Sequence, residues 1–270
     1  MPQTFFGGVS FILSKYWSLF LRGTAITLVV SLTGTIFGFL IGLIVALLRT
    51  IPVHKTDKPL KKLSVRFLSF ILSSYIEIFR GTPMIVQAMV IYYGGLSKAL
   101  SGLHDVYKGI AAAIIIISIN TGAYMAEIIR GGIISVDPGQ MEGALSIGMT
   151  YRQAMFNVVF PQAIRNIMPS IGNEFVVNIK DSSVLNVISV AELYFMSKSA
   201  AGAYLRYFEV FFITAVIYFI LTFTVTRILR VIERKMEGKD SYTIHGSQSY
   251  SKASIHITSE SKSIIGGGLK

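Results

Sequence analysis

Between Gly23 and Leu48 the chain carries no charged residue. Roughly 20 mainly apolar residues are enough to carry a helix across the hydrocarbon core of a bilayer. No water is present there to bond free backbone groups, so a single segment must close its own hydrogen bonds, as a helix does. The run is too long, and too weakly marked by a cleavage site, for a signal peptide. It therefore predicts a first transmembrane helix. Gly34, Gly38 and Gly42 recur every four residues along it, which gives one face on which another helix can approach closely.

Further apolar stretches lie at about 67–93, 109–129, 165–190 and 208–228. Only 14% of the residues are charged, against about 25% in soluble domains, and most of the charges fall between these stretches. The fold class expected is an all-α membrane protein with about five transmembrane helices, occupying residues 20–235. The net charge of +11 reads as lipid topology and not as nucleic-acid binding, because the basic residues flank the apolar spans. Arg49, Lys58, Lys61, Lys62 and Arg66 cluster after the first span, and Arg227, Arg230, Arg234 and Lys235 after the last. The positive-inside rule then sets the N-terminus outside and the C-terminus in the cytoplasm. An odd number of spans independently requires the two ends to lie on opposite faces. Residues 1–19 become an extracytoplasmic segment, about 137–162 a cytoplasmic loop, and 236–270, rich in serine and glycine, a disordered cytoplasmic tail. There is no cysteine, hence no disulfide framework, thiolate metal site or cysteine nucleophile.

The cytoplasmic loop holds MEGALSIGMTYRQAMFNVVFPQAI, residues 141–164. A short helix at Met141–Ile147 is expected to stop at Gly148, because glycine adopts a left-handed turn without steric cost. Pro161 suits the start of the next helix, where its missing N–H does no harm. The result is a helical elbow on the membrane surface, with small residues beside Glu142 that let another protein come close. Glu142-Gly143-Ala144, three residues, Gly148, nine residues and Val158-Val159-Phe160-Pro161 resemble the EAA loop of permease subunits of ABC importers. Gly143 stands where that pattern has alanine. YIEIFRGTPMIVQ (75–87), YMAEIIRGGIISVDPGQMEGA (124–144) and NEFVVNIKDSSVLNVISVAEL (173–193) are similar to the polar amino acid branch, of histidine, glutamine, glutamate and arginine type.

The resemblance covers about residues 20–235 and implies a type I ABC importer permease fold. It also implies that Glu142, Gly143, Ala144, Gly148 and Pro161 form a coupling helix docking on an ATPase. The partners it implies are two ATPase subunits, a second permease copy or paralogue, an extracytoplasmic binding protein and an amino acid as substrate. No P-loop sequence occurs, so ATP hydrolysis belongs to another subunit. The chain is expected to be no enzyme and to need no cofactor or metal.

Charged groups inside a membrane are costly and point to function. Glu77 and Arg80 share a helix face at spacing i, i+3 and read either as an ion pair holding a bend at Gly81-Thr82-Pro83 or as pathway residues. Glu127 and Arg130 repeat the spacing near the cytoplasmic end, as a loop-anchoring pair. Asn120, Tyr124 and Glu127 form one stripe, and Glu174, Asn178 and Asp181 another. At 1.5 Å rise per residue the second lies near the bilayer midplane. A zwitterionic amino acid needs acceptors for its ammonium, which Glu174 or Asp181 supply, and donors for its carboxylate, from Lys180, Ser182 or an unwound helix end. The competing reading is a structural Lys180–Asp181 pair at a helix break. Two other function classes fit less of the chain. An ion-gradient carrier leaves the elbow without a task, and a non-transporting scaffold leaves the midplane charges without one.

Overall fold

The computed structural model describes residues 4–51 and 58–236; the tail predicted at 236–270 falls, past Met236, outside them. All regular structure among the described residues is helical. Helix α1, Phe5–Arg49, is capped by the Thr4 hydroxyl and is 45 residues long, about 68 Å at 1.5 Å per residue. It thus begins well before Gly23, and residues 5–19 of the expected N-terminal segment belong to it. α2 (Pro59–Gly81), α3 (Met84–Ile91), a π-helical turn (Tyr92–Leu96) and the single turn α4 (Ser97–Ala99) follow. Then come α5 (Asp105–Ile134), α6 (Pro138–Ser146), α7 (Tyr151–Ala154), a second π turn (Met155–Val159), α8 (Phe160–Asp181), a 3₁₀ segment (Ser182–Ile188), α9 (Leu193–Tyr204) and α10 (Tyr207–Met236).

Among the described residues three helices, α1, α5 and α10, are long and apolar enough to cross a membrane. α2 and α8 have 23 and 22 residues, but α2 carries Lys61, Lys62, Arg66, Glu77 and Arg80, and α8 carries Arg165, Glu174, Lys180 and Asp181.

The centre of the fold is the seam between α1 and α5. A Cβ at Gly34 would stand 2.5 Å from Ile117 Cγ2, one at Gly38 2.7 Å from Thr121 Cβ, and one at Gly42 2.4 Å from Met125 Cβ. The four-residue glycine repeat therefore meets a four-residue ridge of α5 in matching register. α8 joins this seam through Asn178, which is 2% exposed. Its amide nitrogen donates to Thr35 Oγ1 (2.8 Å) and Thr121 Oγ1 (3.0 Å), and the Ser31 hydroxyl donates to its backbone carbonyl at 2.9 Å. The N-terminal end of α1 packs elsewhere, with Ile12 and Phe20 in one cluster with Leu193, Ala200 and Val210 of α9 and α10.

The expected bend at Gly81-Thr82-Pro83 separates α2 from α3. Its cause is local: Pro83 has no N–H to give the Phe79 carbonyl. Gln87, one turn on, supplies the missing donor. Its Nε2 reaches the carbonyls of Phe79 and Thr82 and the Thr82 hydroxyl, each at 2.9 Å. Asn120 of α5 steadies it by donating to Gln87 Oε1 at 2.8 Å. Replacing Gln87 by leucine keeps the bulk and removes every donor. Each buried polar group left unpaired costs about 1–3 kcal/mol, so Gln87→Leu is expected to lower the thermal unfolding temperature of the solubilised protein clearly. An unchanged melting curve would show that water replaces the amide there.

Candidate functional site

Two places gather polar side chains. The first lies where α2, α5 and α8 face one another. The Arg80 guanidinium sits over the Tyr124 ring at 5.6 Å, a cation–π contact. Arg80 and Asp181 both act electrostatically on Glu174. Glu174 and Asp181, two helical turns apart, share one face of α8 and are half-buried. Arg80 on the Tyr124 ring, and Glu174 with Asp181 on one face of α8, thus place one exposed cation, one aromatic face and two half-buried carboxylates in one region.

The other predicted residues divide. Among the described residues no ion pair joins Glu77 to Arg80 or Lys180 to Asp181. Arg80 takes the Tyr124 ring instead, and Glu77 is exposed. Lys180 is also exposed, because it lies off the Glu174–Asp181 face. Asn120 is committed to the α2–α3 bend and Asn178 to the α1–α5–α8 seam, so both act in packing. Ser182 is fully buried and its hydroxyl turns back to the Ile179 carbonyl at 2.9 Å. It offers no donor to a ligand, contrary to expectation. The helix break itself is real. α8 gives way to the 3₁₀ segment after Asp181, and that segment ends at Ser189, whose φ of 61° is left-handed.

The second place is the elbow. α6 is capped at its start by Asp137, whose carboxylate accepts from Gly139 N–H at 2.7 Å. It ends in a Schellman arrangement. Gly148 N–H donates to Leu145 O at 3.0 Å, Met149 N–H to Ala144 O at 3.1 Å, and Gly148 has φ +90°, as the left-handed closing position requires. Ala144 is buried against the protein's own fold, while Glu142 and Gly143 are exposed and Gly143 has open space around it. The outer face thus consists of Glu142, Gly143, Leu145 and Ile147, the last 76% exposed.

Pro161 stands in the first turn of α8, as expected. The chain reaches it without a break, because α7 runs through the π turn into α8. The Phe160 N–H reaches back to Met155 O, and this wider turn removes the need for the N–H that proline lacks. The elbow is held to the rest by Val136, Met155, Val159 and Ala163, and by amide bonds from Gln162 to Gln140 (3.1 Å) and Asn166 to the Ser135 hydroxyl (3.0 Å).

Between the two places stands an ion triad. Glu127 accepts from Arg130 at 2.8 Å, as its spacing suggests, and also from Arg49 at 2.6 Å. Sequence reasoning missed Arg49, which lies 78 residues away. It also missed Glu192, which is fully buried and caps α9 through Phe195 N–H at 2.7 Å and Tyr194 N–H at 2.9 Å. An acceptor directly before a helix start was the available signal.

Residues 61–238 match the family described as "Binding-protein-dependent transport system inner membrane component". The arginine transport system permease protein ArtQ of Bacillus subtilis (strain 168) is 33% identical over 220 residues, covering 82% of this chain and 93% of that protein. The glutamine transport system permease protein GlnP of Escherichia coli (strain K12) is 34% identical over 219 residues, covering 81% and 93%. The crystal structure of an amino acid ABC transporter with histidines is similar at TM-score 0.72 and 37% identity, over 87% of this chain and 100% of that one. An inward-facing structure of the MetNI methionine ABC transporter, at 20% identity and TM-score 0.68, covers 83% of this chain and 99% of its own; it shares the fold.

Proposed function

Because the chain belongs to the family of binding-protein-dependent transport system inner membrane components, we propose how it works as the permease subunit of an ATP-binding-cassette importer for amino acids in the cytoplasmic membrane. The observation that carries this reading is similarity to amino acid permeases along more than four fifths of the chain. Energy comes from a separate ATPase, since the sequence has no P-loop. Two ATPases, a second permease copy or paralogue and an extracytoplasmic binding protein complete the assembly. α2 with α3, and α8 with the 3₁₀ segment, cross the membrane as charged, broken spans beside the apolar α1, α5 and α10. This arrangement gives five spans with the N-terminus outside. Non-helical backbone at such depth is tolerated where it is buried in protein or lines a cavity.

The substrate is a zwitterion, and the four-residue cluster has its complement. Arg80 faces the α-carboxylate, Glu174 and Asp181 face the ammonium, and Tyr124 holds the guanidinium in place. Glu174 and Asp181 are half-buried and Arg80 is exposed, so lower water content strengthens the contacts of the carboxylates in particular. At the other end Glu142, Gly143, Leu145 and Ile147 form the outer face of a coupling helix against the ATPase, with Ala144 seating it on the permease. ATP-driven closure of the ATPases moves α6, and the helices carry that motion to the cluster as alternating access.

The test is uptake into proteoliposomes. Uptake is expected only when the ATPase partner, ATP and the binding protein are all present. Uptake driven by an ion gradient without the ATPase would overturn the proposal. Coupling has its own check in Gly148→Val. A β-branched residue at φ +90° is strained by about 1–3 kcal/mol, and open space around Gly148 makes the backbone, not a clash, the cause. The variant is expected to insert normally and to hydrolyse ATP, with several-fold less uptake per ATP. Wild-type stoichiometry of uptake to hydrolysis would remove Gly148 from coupling.

A further inference from the structure

α10 carries no charge from Val210 to Thr226. At 1.5 Å per residue, about 27 Å separates Glu209 from Arg227, close to the roughly 30 Å hydrocarbon core of a bilayer. Arg227 therefore stands at one membrane border, and the helix continues to Met236, about 14 Å beyond it. One stripe runs through this border. Phe212, Val216, Phe219 and Phe223 follow the alternating four- and three-residue spacing of a single helix face, and all are exposed. The same spacing carries on into Arg227, Arg230 and Arg234, which are exposed as well. A Cβ at Gly172 of α8 would stand 3.1 Å from Leu229 Cδ1. The opposite side of α10 thus seats the helix, and the stripe points away from the fold.

Among the described residues no ion pair holds any of these three arginines. The Arg227 guanidinium lies instead over the Phe223 ring, 4.8 Å from its centroid, so the cationic and apolar parts of the stripe meet without a gap. The pattern is complementary to a phosphate that carries hydrocarbon chains. Each guanidinium presents a planar fork of donors to phosphate oxygens, and the chains cover the phenyl rings. A second copy packed stripe to stripe, about a two-fold axis along the membrane normal, would instead set arginine against arginine. We propose that the stripe is a binding site for an anionic phospholipid of the cytoplasmic leaflet, with its phosphate on Arg227, Arg230 and Arg234 and an acyl chain along Phe219 and Phe223. The inference rests on the topology given above, which puts this end of α10 in the cytoplasm. It goes beyond the positive-inside rule, which counts basic residues and is indifferent to the helix face they occupy.

The experiment places the permease–ATPase complex in phosphatidylcholine nanodiscs doped with a photoactivatable lipid whose diazirine sits in mid-chain. Phosphatidylglycerol and phosphatidylcholine probes with identical chains are compared, and adducts are mapped by peptide mass spectrometry. The control face is Leu40 and Ile44 of α1, also exposed and at a similar distance along the helix from Arg49, whose charge Glu127 already takes. Labelling at Phe219 and Phe223 is expected to prefer the anionic probe about fivefold or more over the control face, since one basic residue at an anionic surface shifts partition by about that factor. Arg227→Gln/Arg230→Gln/Arg234→Gln is expected to bring the preference to within about twofold of the control. Arg230→Gln alone is expected to lower it at least about twofold, and decides the matter if the triple variant fails to insert. Equal labelling by the two probes in the wild type, or an undiminished preference in the inserted variants, would overturn the lipid site. Loss of the preference when phosphate replaces chloride at equal ionic strength would make a soluble anion the ligand, and an inserted triple variant that sheds its ATPase would assign the arginines to that subunit; either result overturns the proposal. A C-terminal tag cleaved only from the extracytoplasmic side would instead overturn the underlying topology.

Discussion

Replacing Gly42 by leucine should leave almost no folded permease. The Cβ alone would stand 2.4 Å from Met125 Cβ, 2.8 Å from Ala126 N and 2.9 Å from the Met125 carbonyl carbon. Two of these three neighbours are α5 backbone, which no rotamer change can move. The helices would have to separate. That would also part Gly38 from Thr121, and with it the Thr35–Asn178–Thr121 bonds that hold α8. Overpacking a tight core costs about 1–3 kcal/mol even where side chains can yield, and here the seam is the centre of the fold. Gly131→Leu is the control, since Gly131 has open space where a Cβ would go. The measurement is the yield of monodisperse protein after solubilisation, with its melting temperature. A normal peak for Gly42→Leu would mean that the α1–α5 contact is looser than the geometry requires.

Neutralising both carboxylates of the cluster, Glu174→Gln with Asp181→Asn, should reduce ATP-driven uptake by more than tenfold without loss of assembled protein. Hydrogen bonds to charged groups contribute about 1.5–3 kcal/mol each, and tenfold corresponds to about 1.4 kcal/mol. Neither carboxylate has an ion-pair partner within the chain among the described residues. Removing their charge therefore strands no cation bonded to them, and the fold should tolerate it. Lys180→Ala should change uptake little, because Lys180 is exposed and off that face. Normal uptake by the double variant, reconstituted at wild-type yield with its ATPase, would reduce this part of α8 to scaffolding.

What the sequence made legible is local or periodic. The glycine repeat announced a close seam, the Gly148 stop needed only the left-handed preference of glycine, and Pro83 marked its own bend. The Glu127–Arg130 pair followed from helical spacing. What it hid depends on partners far along the chain. Asn178 shares a face with Glu174 and Asp181, so periodicity placed it with them. Thr35 and Thr121, from two other helices, decide instead that it packs. Arg80 and Glu77 have the spacing of an ion pair, yet a tyrosine on α5 offers Arg80 a better surface. Ser182 looked like a donor beside two charges, and only the fold shows that it faces inward. Pro161 marked the first turn of α8, but the sequence gives no sign of the π turn that joins α7 to it.

That π turn has a mechanical consequence. Since α7 passes through it into α8, residues 151–181 form one rod, about 45 Å long at 1.5 Å per residue. The rod crosses α5 at Ile167, where a Cβ at Gly132 would be 2.3 Å from Ile167 Cγ2, so this contact is its fulcrum. From there to Tyr151 is about 24 Å, and to Asp181 about 21 Å, by the same rise. The arms of this seesaw are nearly equal. Pro169 lies beside the fulcrum, so stiffness at that point decides how much of a tilt passes from one arm to the other. With the rod straight at Pro169, a displacement imposed at the elbow would reappear at Asp181 with similar size and opposite direction; bending at Pro169 would absorb part of it.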